Sequence, residues 1–192
     1  MNNKTKTVVG LGLLTALVIV LQGLAVGIRF GVFNITLVLV PIVVGAALYG
    51  YWAGAWLGFV FGVVVLMTDA GAFLAVSVPG TIITCILKGA CAGLVAGYVY
   101  KCLEKKNVTL AVFVAAVLAP VVNTGLFLVG CRLFFYDTIK AWAEGAGFPS
   151  AGAFMIGGLV GINFLVELAI NLVLSLTIVR IIQIGKKMAA GN

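Results

Sequence analysis

Residues 79–106 read PGTIITCILKGACAGLVAGYVYKCLEKK. From Pro79 to Tyr100 the stretch carries one charge, Lys88, and then it turns basic at Lys101, Lys105 and Lys106. About 20 helical residues cross a hydrocarbon core of about 30 Å, so 79–101 is long enough to span a membrane. Gly89, Gly93 and Gly97 fall at every fourth position, with Ala92 and Ala96 beside them. Four residues is just over one helical turn, so these small side chains form a stripe where a second helix can approach closely.

The composition of the whole chain agrees. Hydrophobic residues make up 64% and charged residues 9%, and the mean hydropathy is +1.28. A soluble domain carries about 25% charged residues and could not cover its surface at this apolarity. Glycine numbers 25 in 192 residues, mostly inside apolar runs, as close helix packing in lipid requires. The length fits one domain, 1–192. Six apolar spans are expected, at 8–27, 35–49, 53–67, 79–101, 110–133 and 154–184. The fold class is therefore an all-α membrane protein of six transmembrane helices. The second and third spans are short and joined by a tight turn at Gly50-Tyr51; re-entry of these two, leaving five spans or fewer, is the alternative.

Charge placement orients the bundle. With the amino terminus inside, Lys4, Lys6, Lys101, Lys105, Lys106, Arg180, Lys186 and Lys187 face the cytoplasm against Glu104 alone. Outside, Arg29, Arg132 and Lys140 balance Asp69, Asp137 and Glu144, and within the spans Lys88 balances Glu167. The entire excess of +7 thus lies on one side, as the positive-inside rule expects when both termini are cytoplasmic. Lipid and orientation account for this charge without a nucleic-acid partner. Lys4 and Lys6 before an apolar run, with Leu24-Ala25 as a weak cleavage site, imitate a signal peptide. Because the downstream chain is equally membrane-bound, that run is read as a retained first helix.

Several chemistries are absent. The chain has no histidine, which removes His-dependent catalysis and His metal ligation. Cys85, Cys91, Cys102 and Cys131 form no CxxC pair and read as small packing residues. No GxxxxGK[ST] phosphate loop occurs, so active transport would need an external motor or an ion gradient. No metal and no cofactor are expected.

Small residues also recur at Gly54, Gly58 and Gly62, at Gly157 and Gly161, and at Gly12 and Ala16. The rows of the third and fourth spans read as internal packing. The first-span row, on a terminal helix, is open to a partner. A charge in hydrocarbon costs about 2.5–3.5 kcal/mol and is kept where it has a partner or a function. Lys88 lies about 13 Å deep by helical rise from Pro79. Asn163, Glu167 and Asn171 recur every four residues as one polar stripe, and Asn123 sits at a depth like that of Lys88. A polar cavity open to the outside is one reading; a Lys88–Glu167 pair tying two helices is the other, and Asn171, deeper, reads as structural. Outer loops carry Asn34, Asp69 and, in 136–149, Trp142. They are short, aromatic and glycine-flanked, as lids over a small-molecule site would be; an aromatic belt is the bland account of Trp142 and Tyr136.

Phe33-Asn34-Ile35-Thr36-Leu37, Pro41, Gly45, Leu48-Tyr49-Gly50, Gly54 and Gly58, followed by Asp69 and by Lys88-Gly89…Gly93…Gly97, resemble the substrate-binding S components of energy-coupling factor (ECF) vitamin transporters. The likeness covers nearly the whole chain, 7–187. It implies a non-catalytic subunit in a bacterial or archaeal plasma membrane that captures a vitamin or related micronutrient on the outer face. A transmembrane T component and two ATPases would then drive import. The family's first helix carries an AxxxA-like stripe for the T component; the match here is Gly12-Leu13-Leu14-Thr15-Ala16, with glycine in the first place. Pocket signatures of the thiamin, riboflavin and biotin members are missing, so the ligand stays open.

The expected substrate site comprises Asn34, Asp69, Lys88, Asn123, Arg132, Trp142, Asn163 and Glu167. Arg132 would attract an anionic vitamin such as pantothenate and Lys88 would accept its carboxylate, whereas a neutral ligand would rely on the amides. Two other classes compete. A structural membrane scaffold would bind no small ligand. An intramembrane enzyme would need Glu167 and Asp69 to cooperate without any histidine.

Overall fold

The computed structural model describes residues 3–27, 29–30, 33–34 and 37–190, with side chains for 4–25 and 37–185. Helices dominate. In chain order they are α1 (Asn3–Gly27), α2 (Leu39–Tyr49), α3 (Tyr51–Thr68), α4 (Gly71–Leu74), α5 (Val78–Leu103), α6 (Val108–Phe134), α7 (Tyr136–Gly145), α8 (Ala151–Ala153) and α9 (Gly161–Ala190). A π-helical segment, Phe154–Val160, lies between α8 and α9. Between α1 and α2, β1 (Arg29–Phe30) and β2 (Phe33–Asn34) pair antiparallel, with Arg29 opposite Asn34.

Local signals explain the helix starts. Ser77 Oγ accepts the Gly80 N–H at 3.3 Å at the head of α5, where Pro79 takes a position that needs no donor. Asn107 Oδ1 accepts the Leu110 N–H at 3.1 Å and restarts the chain as α6 after the Lys105-Lys106 turn.

Five helical stretches are long and apolar enough to cross a membrane: Lys4–Ala25, Tyr51–Thr68, Val78–Leu103, Val108–Phe134 and Ala151–Gly185. The expected second span behaves differently. Its helix α2 has 11 residues, about 16 Å by helical rise, half of a hydrocarbon core. What α2 lacks in length it makes up in burial. Eight of its 11 residues, including Leu39, Ile42 and Val43, are buried, because α1, α3, α5, α6 and α9 all touch it. The main core therefore surrounds α2, with Leu57 and Phe61 of α3, Tyr100 of α5, Val112 and Ala115 of α6, and Ile178 and Ile182 of α9. Large apolar side chains instead cover the outside, among them Val8, Leu13, Trp52, Leu87, Leu133 and Val173. That inversion suits lipid and no aqueous surface.

The closest helix contact is α3 on α5. A methyl group added at Gly54, Gly58 or Gly62 would strike the backbone carbonyls of Gly93, Gly89 and Cys85. Additions at Gly89 and Gly93 would strike Gly58 and Gly54 in return. The two glycine rows are one interlocking seam, the internal packing read from their spacing. The row at Gly157 and Gly161 is different. Gly161 has φ +40 and closes the π-helical segment, so it breaks the helix axis and packs nothing. Gly157 faces the Phe148 ring. On α1, a side chain at Gly12 would meet nothing within 4 Å, and Ala16 is exposed. Trp56 of α3 reaches across to Thr15, its Nε1–H donating to Thr15 Oγ1 at 3.2 Å.

The seam and the open stripe respond differently to bulk. Gly58→Leu should cost at least about 1–3 kcal/mol by overpacking against backbone that cannot yield. Gly12→Leu should stay within about 0.5 kcal/mol. Thermal unfolding of both purified variants in one detergent checks this; equal transition temperatures would contradict the seam.

Candidate functional site

The α5 row that packs the bundle also delivers Lys88, one residue before Gly89, into a cleft of about 270 Å³ at one end of the molecule. From α3 come Phe61, Val65 and the capping Asp69, and from α4 comes Phe73. The C-terminal half of α6 supplies Asn123, Thr124 and Phe127, and the N-terminal part of α9 supplies Asn163, Phe164 and Glu167. Gln22, near the end of α1, also lines it. The C-terminal ends of α1, α3 and α6 thus meet the N-terminal ends of α5 and α9.

Five of the eight expected residues share this cleft: Asp69, Lys88, Asn123, Asn163 and Glu167. Spacing accounts for the pair on α9, since positions four apart lie one above the other on a helix. The next in that series, Asn171, is fully buried below the cleft, and its Nδ2 donates to the Glu167 backbone carbonyl at 2.8 Å. Two expected residues are elsewhere. Arg132 is exposed, its guanidinium carbon 3.8 Å from the Tyr136 ring centroid. Trp142 packs edge-on against Phe73 at 5.6 Å. Asn34 belongs to β2, but its side chain lies outside the described residues.

The segment 136–149, expected as a loop lid, contains the helix α7. Ile139 and Ala143, four apart, are its buried face, packed on Cys131 and Phe135 of the α6 end and on Met155. The same spacing, with Asp137 favouring the first turn, was the available signal. Phe73 stands at the centre of this outer cluster, edge-on to Phe127 at 5.6 Å, Phe135 at 5.0 Å and Trp142 at 5.6 Å. Trp142 therefore supports the wall of the cleft through Phe73 without lining it.

Lys88 is half-buried, and its Nζ lies 5.8 Å from the Phe61 ring centroid and 5.3 Å from that of Phe127. Among the described residues no salt bridge joins it to Glu167. Asp69, Asn163 and Glu167 each hold an interaction of their own. Two amide oxygens contrast with these. Gln22 Oε1 and Asn123 Oδ1 are buried and accept no hydrogen bond among the described residues, with residue exposures of 3% and 7%. A buried acceptor left unmade costs about 1–3 kcal/mol, so two of them on residues that line one cleft mark it as the candidate site. Gln22 escaped the sequence reading because a lone amide near the end of an apolar run has no periodic companion.

No curated protein and no solved structure matches the chain. The family model for the ECF transporter, substrate-specific component, matches residues 6–179. That match takes in every residue that lines the cleft and runs through all five membrane-length helical stretches, and the chain, a multi-pass membrane protein, belongs to the family of ECF transporter substrate-specific components.

Proposed function

We propose that the cleft captures a small, water-soluble vitamin or related micronutrient on the outer face of a bacterial or archaeal plasma membrane. A transmembrane T component and two ATPases then carry the loaded subunit through an ATP-driven import cycle. The observation that carries this reading is the pair of buried, unpartnered amide oxygens of Gln22 and Asn123 in one cleft. Polar groups fixed within an otherwise apolar, aromatic wall are what a small-molecule site needs. A scaffold protein would have no use for them. This chain's own residues bind and orient the ligand, and no group in the cleft is assigned a reaction.

Both termini are cytoplasmic in this reading, and the chain crosses six times. Since α1 and α3 both end at the cleft, the chain must return between them. Tyr49, at the end of α2, lies against Gly10 near the start of α1, which supports such a return. In this reading the segment that contains the short helix α2 makes the sixth crossing. Single cysteines at Asn107 and Ala146, in a background without the four native cysteines, should react with impermeant reagent from opposite faces. Labelling of both from outside would contradict the topology.

The outward-facing Gly12 and Ala16 are the proposed contact with the T component, because two backbones can meet closely there. Ala16→Leu should weaken co-purification with the T component and leave ligand binding intact. Unchanged assembly would remove the stripe from the docking surface.

The cleft itself is tested by Asn123→Ala and Asn163→Ala. Each should lower affinity for the ligand that co-purifies, identified by mass spectrometry, by about 0.5–1.5 kcal/mol, or roughly two- to tenfold. Titration of both variants decides the matter, and unchanged affinity in both would move the site elsewhere.

A further inference from the structure

We infer that the ligand is a small carboxylic acid whose carboxylate pairs with Lys88 and whose hydroxyl or N–H groups donate to Asn123 and Gln22. The inference rests on the cleft being the ligand site. Three observations favour an acid. Lys88 brings an ammonium into the cleft, where it stands over the faces of Phe61 and Phe127. Ring faces stabilise a cation less than a hydrogen-bonded carboxylate does, and centroid distances above 5 Å lie toward the far end of their reach. The ammonium keeps three donors, which ring faces leave available to an anion.

The opposite polarity is already engaged. Asp69 and Glu167 also line the cleft, and each has an interaction of its own. The remaining unsatisfied groups are the acceptors Asn123 Oδ1 and Gln22 Oε1. They call for donors on the ligand, which a bare hydrocarbon acid lacks and a hydroxy acid, an amido acid or a ureido acid has. Size sets the last limit. At about 270 Å³ the cleft falls near the lower end of the range for small-molecule sites, about 300–1,000 Å³, so the acid is compact.

The test uses the full chain in lipid nanodiscs and matched probes that differ in the carboxylate. The pairs are nicotinate with nicotinamide, pantothenate with pantothenol, and biotin with biotinol. Riboflavin, thiamin and pyridoxine serve as neutral or cationic probes. By isothermal titration at least one acid should bind, and its neutral partner should bind about ten- to hundredfold more weakly. Lys88→Met should abolish that gap, and Lys88→Arg should keep most of it. Asn123→Ala should weaken the acid and its neutral partner alike. Should Lys88→Met fail to elute as a single species, the acid–neutral gap in the native protein and in Lys88→Arg decides alone. An acid bound no better than its neutral partner overturns the inference. Binding of riboflavin, thiamin or pyridoxine with no acid bound, weakened by Asn123→Ala, overturns it too and leaves the cleft as a ligand site. Binding of no probe at all overturns both.

Discussion

The contact on which the rest depends is the backbone-to-backbone approach of α3 and α5. Lipid supplies no hydrophobic drive to bring helices together, so their association rests on close packing. Glycine at 54 and 58 facing glycine at 93 and 89, with Gly62 against the Cys85 carbonyl, lets backbone meet backbone along the seam. The same seam places the cleft. Phe61 and Gly62 are neighbours on α3, and Lys88 and Gly89 are neighbours on α5. Locking the glycines in register therefore fixes the ammonium of Lys88 within 5.8 Å of the Phe61 ring centroid. A bulkier seam would separate the helices and, with them, the two sides of the cleft wall.

What was legible follows from periodicity. Glycines four apart inside long apolar runs gave the α3–α5 seam, and the polar series Asn163 and Glu167 gave one wall of the cleft. Both are consequences of 3.6 residues per turn and survive any detail of tertiary structure. Gly157 and Gly161 obeyed the same spacing, yet Gly161 is where the axis breaks, at φ +40. Spacing cannot distinguish a glycine that admits a neighbour from one that admits a backbone angle. Arg132 and Trp142 were placed by depth and chemistry alone. Their directions were set by ring contacts with Tyr136 and Phe73 that no pattern in the sequence announces. Gln22 became visible only when α1 was seen to end beside α6 and α9 at the cleft.

The polar groups of the bundle sort by what surrounds them. Asn171 sits in the packed interior and spends its Nδ2 on the carbonyl one turn earlier, a local solution open to any helix. Thr84 does the same, its hydroxyl donating to the Gly80 carbonyl at 2.7 Å. Asn123 is almost as buried, but it belongs to the cleft lining, and its oxygen has no hydrogen-bond partner among the described residues. Asn171 Oδ1 is likewise buried without a partner among the described residues, so what distinguishes Asn123 is its place in the cleft lining.

The short helix α2 shows how the same physics accommodates a segment that cannot cross alone. Its 11 residues cover about half of a bilayer core, and backbone outside a helix is tolerated at membrane depth only where protein or a cavity surrounds it. Five helices surround α2, and the strands β1 and β2 ahead of it satisfy backbone groups by pairing with each other. A full-length sixth helix in that position would extend its core-facing bulk toward the cleft end of the bundle. Helix α2 begins at Leu39, and among the described residues α1, α3, α5, α6 and α9 all contribute to the cleft lining. The core gathers around α2 while the polar lining of the cleft comes from the helices around it, so the burial of one short helix and the polar lining of its neighbours are two aspects of a single arrangement.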